Sequence, residues 1–170
     1  MKRYLISKLE EWKSSSWRKP LLLLGARQVG KTWLLQEFGR EHYQNVVYVR
    51  FDRDMLMKES FEKDLNMLRI LTSLKLHAGA DIVPGETLII LDEIQECQWA
   101  LTSLKYFCEE LREYHVVAAG SLLGLHEHTG TGFPVGKVNM MHLYPMSYEE
   151  YVHYTPTSDH WRALMPSGYY

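Results

Sequence analysis

Cysteine is scarce in this chain: two residues in 170, Cys97 and Cys108, too few for a disulfide scaffold. They read as reduced, partly buried side chains without a redox role. An excess of charge of one sign is also missing. Nineteen Lys and Arg against 21 Asp and Glu give a net charge of −2, without the strongly basic face that nucleic-acid binders usually show. No apolar run approaches the ~20 residues of a membrane-spanning helix. The N-terminus is charged within a few residues, at Lys2, Arg3, Lys8 and Glu10, which argues against a secretory leader and for a cytoplasmic protein. No internal repeat is visible. What remains is ordinary globular material, 46% hydrophobic and 24% charged. A chain of this length buries roughly 70% of its unfolded surface.

The informative part is Gly25-Ala26-Arg27-Gln28-Val29-Gly30-Lys31-Thr32, which matches G-x-x-x-x-G-K-[ST], the phosphate-binding loop pattern. Gly25 lets the chain turn sharply at a strand end, and Gly30 lets backbone approach phosphates with no Cβ in the way. Successive backbone N–H groups between them point at one oxyanion. Lys31 reaches the β- and γ-phosphates, and the Thr32 hydroxyl ligates Mg²⁺. A helix starting here, with Trp33 in its first turn, adds its positive dipole end to the anion site. The flanks agree. Pro20-Leu21-Leu22-Leu23-Leu24 has the length and composition of a buried strand, and Leu34, Leu35 and Phe38 share one helix face. Residues 25–33 are therefore the expected nucleotide contacts.

A metal carboxylate is expected at the end of a neighbouring strand. Thr87-Leu88-Ile89-Ile90-Leu91 reads as a strand buried on both faces, and it ends in Asp92-Glu93. Asp92 fits the Mg²⁺ anchor, and Glu93 fits the residue that orients or deprotonates the attacking water. A further strand, Val116-Val117-Ala118-Ala119-Gly120, ends in Ser121. Ligands of doubly wound folds sit at the carboxyl ends of parallel strands, which makes Ser121 a candidate sensor of the γ-phosphate. Ser121 is equally suited to cap a helix through Leu122 and Leu123. His126-Glu127-His128 lies in a Gly-containing loop without a third or fourth ligand and reads as solvated histidines.

With these residues in view, the chain resembles the AAA-type P-loop ATP-binding proteins of bacteria and archaea that carry a restriction-nuclease-like C-terminal domain. The resembling segments run from about residue 18 to 154. They include the loop above, Leu91-Asp92-Glu93-Ile94-Gln95-Glu96-Cys97, Ala119-Gly120-Ser121-Leu122-Leu123-Gly124, Phe133-Pro134-Val135-Gly136-Lys137-Val138 and Leu143-Tyr144-Pro145-Met146-Ser147-Tyr148-Glu149-Glu150. The resemblance implies ATP and Mg²⁺ as ligands and ATPase chemistry. It places the phosphate role on Lys31 and Thr32, the metal and base roles on Asp92 and Glu93, and a sensor role on Ser121. It also implies self-association or a further C-terminal domain as partners. Two departures stand out. Gln98-Trp99 replaces the usual Pro and basic residue, and Gly136-Lys137 replaces a frequent Gly-Arg, which weakens the case for an arginine acting there.

Strands alternating with helical stretches predict an α/β fold, a P-loop NTPase three-layer sandwich with a mostly parallel central sheet. The expected division is an N-terminal helix and linker over 1–19, the ATPase core over 20–154, and the start of a truncated lid or a disordered tail over 155–170. Helices are expected over residues 3–13, 56–77 and 99–113. In the second of these, Leu65, Leu68, Leu71, Leu74 and Leu76 are taken as largely core. Ser147 and Glu150 match a capping box. A nucleotide-binding module without turnover remains an alternative. A GTPase lacks its Asn-Lys-x-Asp segment here, and a small-molecule kinase lacks its Arg-rich lid.

Overall fold

The structure, a computed structural model, describes residues 4–121, 133–148 and 150. Five strands occur among these residues: β1 Leu21–Gly25, β2 Asn45–Arg50, β3 Thr87–Asp92, β4 His115–Ser121 and β5 Asn139–Leu143. They form one all-parallel sheet in the order β2-β3-β4-β1-β5. The helices are α1 Leu5–Ser14, α2 Lys31–His42, α3 Met55–Lys63, α4 Met67–Ala78 and α5 Gln98–Glu110, with a 3-10 turn at Ile94–Glu96.

Successive strand residues face opposite sides of the sheet, so both faces must be covered. Leu22, Leu24, Val49, Ile89, Leu91 and Val116 join Phe61, Ile70, Leu74, Leu104 and Phe107 of α3, α4 and α5 in one core. Leu21, Leu23, Leu88, Ile90 and Val117 join Leu9 and Trp12 of α1 and Leu34, Leu35 and Phe38 of α2 in the other. Each fully buried Leu contributes roughly 1.5–3 kcal/mol relative to an exposed one. The unbroken apolar runs in the sequence are the direct cost of a sheet buried on both sides.

The register decides where function can sit. Gly25 lies opposite both Ser121 of β4 and Leu143 of β5, and Arg50 of β2 lies opposite Asp92 of β3. With all strands parallel, these carboxyl ends share one edge of the sheet.

The helix expected over 56–77 is two helices. Asp54 caps α3 by accepting from the Met57 N–H, and Asn66 caps α4 by accepting from the Arg69 N–H. Between them Asp64 takes the Arg69 guanidinium and the Asn66 N–H, so short polar side chains capture backbone donors that a continuous helix would use. The break also rotates the face. Leu71 and Leu74 are buried and Leu65 is partly so, but Leu68 and Leu76 are 71% and 79% exposed and do not belong to the core. The Ser147–Glu150 capping box is present: the Glu150 N–H donates to Ser147 Oγ, and the Ser147 N–H donates to Glu150 Oε2. The expectations for residues 122–132 and 151–170, including Leu122, Leu123, the His126-Glu127-His128 segment and the tail, lie outside the described residues.

Candidate functional site

The carboxyl edge of the sheet collects the residues that the sequence pattern singled out. β1 ends at Gly25, residues 26–30 form the connecting loop, and α2 begins at Lys31. Gly25 is required for a reason the pattern does not show. A Cβ there would lie 2.3 Å from the Leu143 carbonyl oxygen and 3.2 Å from Val29 Cγ2. The close neighbour is backbone of β5 and cannot step aside. Gly25→Ala should therefore destabilise the fold by about 1–3 kcal/mol, the usual cost of overpacking. A lowered urea midpoint at unchanged m-value would show it; a midpoint equal to that of the parent would disprove the contact.

Gly30 sits at φ +94°, in the left-handed region, as the N-cap of α2, and no side chain caps that helix. Among the described residues, no side chain accepts from the first-turn amides of Lys31, Thr32 and Trp33 at the positive end of the helix. Gln28 also takes a positive φ, +64°. Ala26, Arg27 and Gln28 are exposed and Val29 is half-buried, while Trp33 is 38% exposed on the first turn of α2. Lys31 is buried. Its Nζ donates to the Gly25 carbonyl at 3.0 Å and to the Ala26 carbonyl at 2.6 Å. Burial lowers its pKa from the ordinary lysine value, and the charges of Glu93 and Asp92 oppose that fall.

Asp92 ends β3, one strand removed from β1 across β4, and is only 2% exposed. Three donors hold its carboxylate. Thr32 Oγ1 donates to Oδ2 at 2.6 Å, the Tyr48 hydroxyl donates to the same oxygen at 2.8 Å, and the Glu93 N–H donates to Oδ1 at 2.9 Å. Burial, reinforced by the bond to Asp92, pushes the Tyr48 hydroxyl well above the ordinary tyrosine value, so it remains a donor at neutral pH. Glu93 follows at φ +52°, a left-handed conformation for a non-glycine residue, which costs of order 1 kcal/mol and is typical of functional turns. Its Oε2 accepts from Gln95 Nε2 at 2.5 Å, and Gln95 Oε1 accepts the N–H of Ser121, the last residue of β4, at 3.3 Å.

Thr32, Asp92, Glu93, Lys31 and Ser121 are thus brought to one place by three strand ends. Position 137 is not. Lys137 precedes β5 at the opposite edge and pairs with Glu109 near the end of α5 at 3.0 Å. Tyr48 and Gln95 lie at the site as well: Gln95 falls within the Leu91-to-Cys97 segment, which assigns it no role, and Tyr48 falls in no motif. Tyr48 is the one polar interruption in Val46-Val47-Tyr48-Val49, a weak signal whose meaning depends on β2 pairing with β3.

The arrangement suits a polyanion with a hard cation. An uncapped helix terminus and a buried lysine offer positive potential. The Thr32 hydroxyl and Asp92 carboxylate are hard oxygen donors of the kind that a divalent cation such as Mg²⁺ accepts. Among the described residues no group of three or more His, Cys, Asp and Glu could hold a metal alone.

A five-stranded parallel sheet with this loop between β1 and α2 is an α/β fold of the P-loop AAA+ ATPase type. The chain belongs to the family described as "AAA domain", which matches residues 17–152. No curated protein matches the sequence. Among solved structures, the chain is similar to the Aeropyrum pernix ORC1 protein in complex with DNA, with 16% identity, a TM-score of 0.56, and coverage of 92% of this chain and 47% of that one. It is similar to AMPPCP-bound DnaA from Aquifex aeolicus, with 17% identity, a TM-score of 0.50, and coverage of 87% and 46%. It is also similar to C. elegans PCH-2, with 13% identity, a TM-score of 0.51, and coverage of 84% and 42%. The chain spans less than half the length of each of these structures. Among the described residues, no helix is long and apolar enough to cross a membrane.

Proposed function

We propose that this chain binds MgATP over residues 25–33 and hydrolyses it to ADP and phosphate. The observation that carries the reading is the 2.6 Å bond between Thr32 Oγ1 and the buried Asp92 carboxylate, residues 60 apart in sequence. Two hard oxygen donors meet there beside an uncapped helix start, as an Mg²⁺–phosphate ligand requires. The AMPPCP held by the structurally similar DnaA supports a nucleotide at this kind of fold.

The roles follow from position. Amides of the loop and first turn would bind the phosphates, with Lys31 exchanging its two loop carbonyls for phosphate oxygens. Thr32 and Asp92 would hold Mg²⁺, and the metal, when bound, supplies charge neutralisation on the phosphates. Glu93 would take the proton of a water as its oxygen attacks the γ-phosphorus. The bond from that phosphorus to the β,γ-bridging oxygen then breaks, and ADP leaves with that oxygen. Ser121, at the end of β4, would stand beside the γ-phosphate.

Calorimetric titration with MgATP and MgGTP, followed by phosphate release, tests this. Binding should be specific for MgATP, and phosphate should appear with bound ATP. No affinity for MgATP, or selective affinity for MgGTP, would overturn the reading. Binding without phosphate release would make the chain a nucleotide-binding regulatory module instead.

A further inference from the structure

We infer that Gln95 is a positioning residue for Glu93, tying the carboxylate proposed as the hydrolytic base to the end of β4 through one side-chain amide. The inference rests on the ATPase reading above and names a residue that it did not use. Gln95 Nε2 donates to Glu93 Oε2 at 2.5 Å, while Gln95 Oε1 accepts the Ser121 N–H at 3.3 Å across 26 residues of sequence. The orientation of the amide is forced by its partners. An ionised carboxylate only accepts and a backbone N–H only donates, so the nitrogen must face Glu93 and the oxygen Ser121. A side chain with one donor and one acceptor on a short planar head is needed, and Gln supplies both.

The bridge is not needed to build the turn that carries it. The Ile94–Glu96 turn closes through its own backbone, with the Glu96 N–H on the Glu93 carbonyl at 2.9 Å and the Cys97 N–H on the Ile94 carbonyl at 3.2 Å. Ile94 is fully buried and anchors it to the core. The Gln95 side chain is therefore left to its two polar partners. Glu93 takes a left-handed backbone at the end of β3, and among the described residues no backbone N–H of the turn bonds its carboxylate, which leaves the Gln95 amide to hold it. With one oxygen held by Gln95, the other is presented in a fixed direction. Ser121 lies in register with Gly25 at the start of the loop, so the amide also makes the base respond to any shift of β4 at the phosphate end of the sheet.

The test uses single-turnover hydrolysis and MgATP affinity of the full chain carrying Gln95→Leu or Gln95→Glu, each alone and combined with Glu93→Gln. Gln95→Leu removes both bonds. Gln95→Glu is nearly isosteric, keeps an acceptor for the Ser121 N–H, and sets a second carboxylate against Glu93, so it carries the test should the Leu variant fail to fold. Each substitution should lower the hydrolysis rate about tenfold while leaving MgATP affinity within about twofold, a coupling typical of residues in direct contact. Neither should change the residual rate once Glu93 is Gln. Hydrolysis equal to or faster than that of the parent, a loss carried by affinity, or a loss of the same size in the Glu93→Gln background would overturn the positioning role. A Glu93→Gln chain that hydrolyses ATP normally would show up separately in the same experiment, and would remove the base assignment on which the role rests.

Discussion

Replacing Glu93 with Gln should leave MgATP bound while lowering single-turnover hydrolysis by about 10² or more, the range of a general base. The substitution keeps side-chain length and hydrogen-bonding capacity but cannot accept the proton of the attacking water. The structure makes the separation from binding credible. Glu93 contributes its N–H to Asp92 Oδ1 through the backbone, which the variant retains, and its side chain bonds to Gln95 and not to Thr32 or Asp92. The proposed metal ligands are therefore undisturbed. Quenched-flow phosphate release beside equilibrium titration measures both quantities. Equal release by the two proteins would take Glu93 out of the mechanism.

Lys31→Ala should remove most MgATP affinity and lower hydrolysis by about 10²–10³, as loss of one well-placed electrostatic donor does. The effect should exceed that of deleting a surface cation, because Lys31 is buried and its opposing charges are Asp92 and Glu93. Without it, Asp92 and Glu93 lose the buried cation whose charge opposes theirs. Lys31→Arg should not restore function. The planar guanidinium is bulkier than the ammonium that fits between the Gly25 and Ala26 carbonyls. Calorimetry on both variants decides the matter, and an Ala variant that binds MgATP as tightly as the parent would displace the site from this loop.

The parts of the site legible in the sequence are those whose chemistry is local. In the loop, Gly30 has to be glycine because its φ is +94°, and Lys31 and Thr32 follow it on the first turn of a helix. These are properties of a few consecutive residues and survive in any protein that uses the same turn. Asp92 and Glu93 were legible because a run as apolar as Thr87 to Leu91 has to be a strand covered on both faces, and its end is where polar residues return. The same locality hides other features. The helical pattern over 56–77 is continuous in hydrophobicity, yet Asp64 and Asn66 bind backbone amides and a guanidinium locally and split it into two. Leu68 and Leu76 then fall on the solvent side of α4, which periodicity across an unbroken helix does not reveal.

By itself the sequence determined the fold class, the loop and the acidic pair, because these depend on composition and spacing within short segments. Only the tertiary structure decided the rest. The strand order β2-β3-β4-β1-β5 and its register put Tyr48 on Asp92, Gln95 between Glu93 and Ser121, and the Leu143 carbonyl against Gly25. It also left Lys137 at the far edge with Glu109. Each of these contacts joins side chains or backbone from elements distant in sequence or depends on where a turn points. Such distances are set by how parallel strands are shuffled around β1, and no local pattern of residues encodes that order.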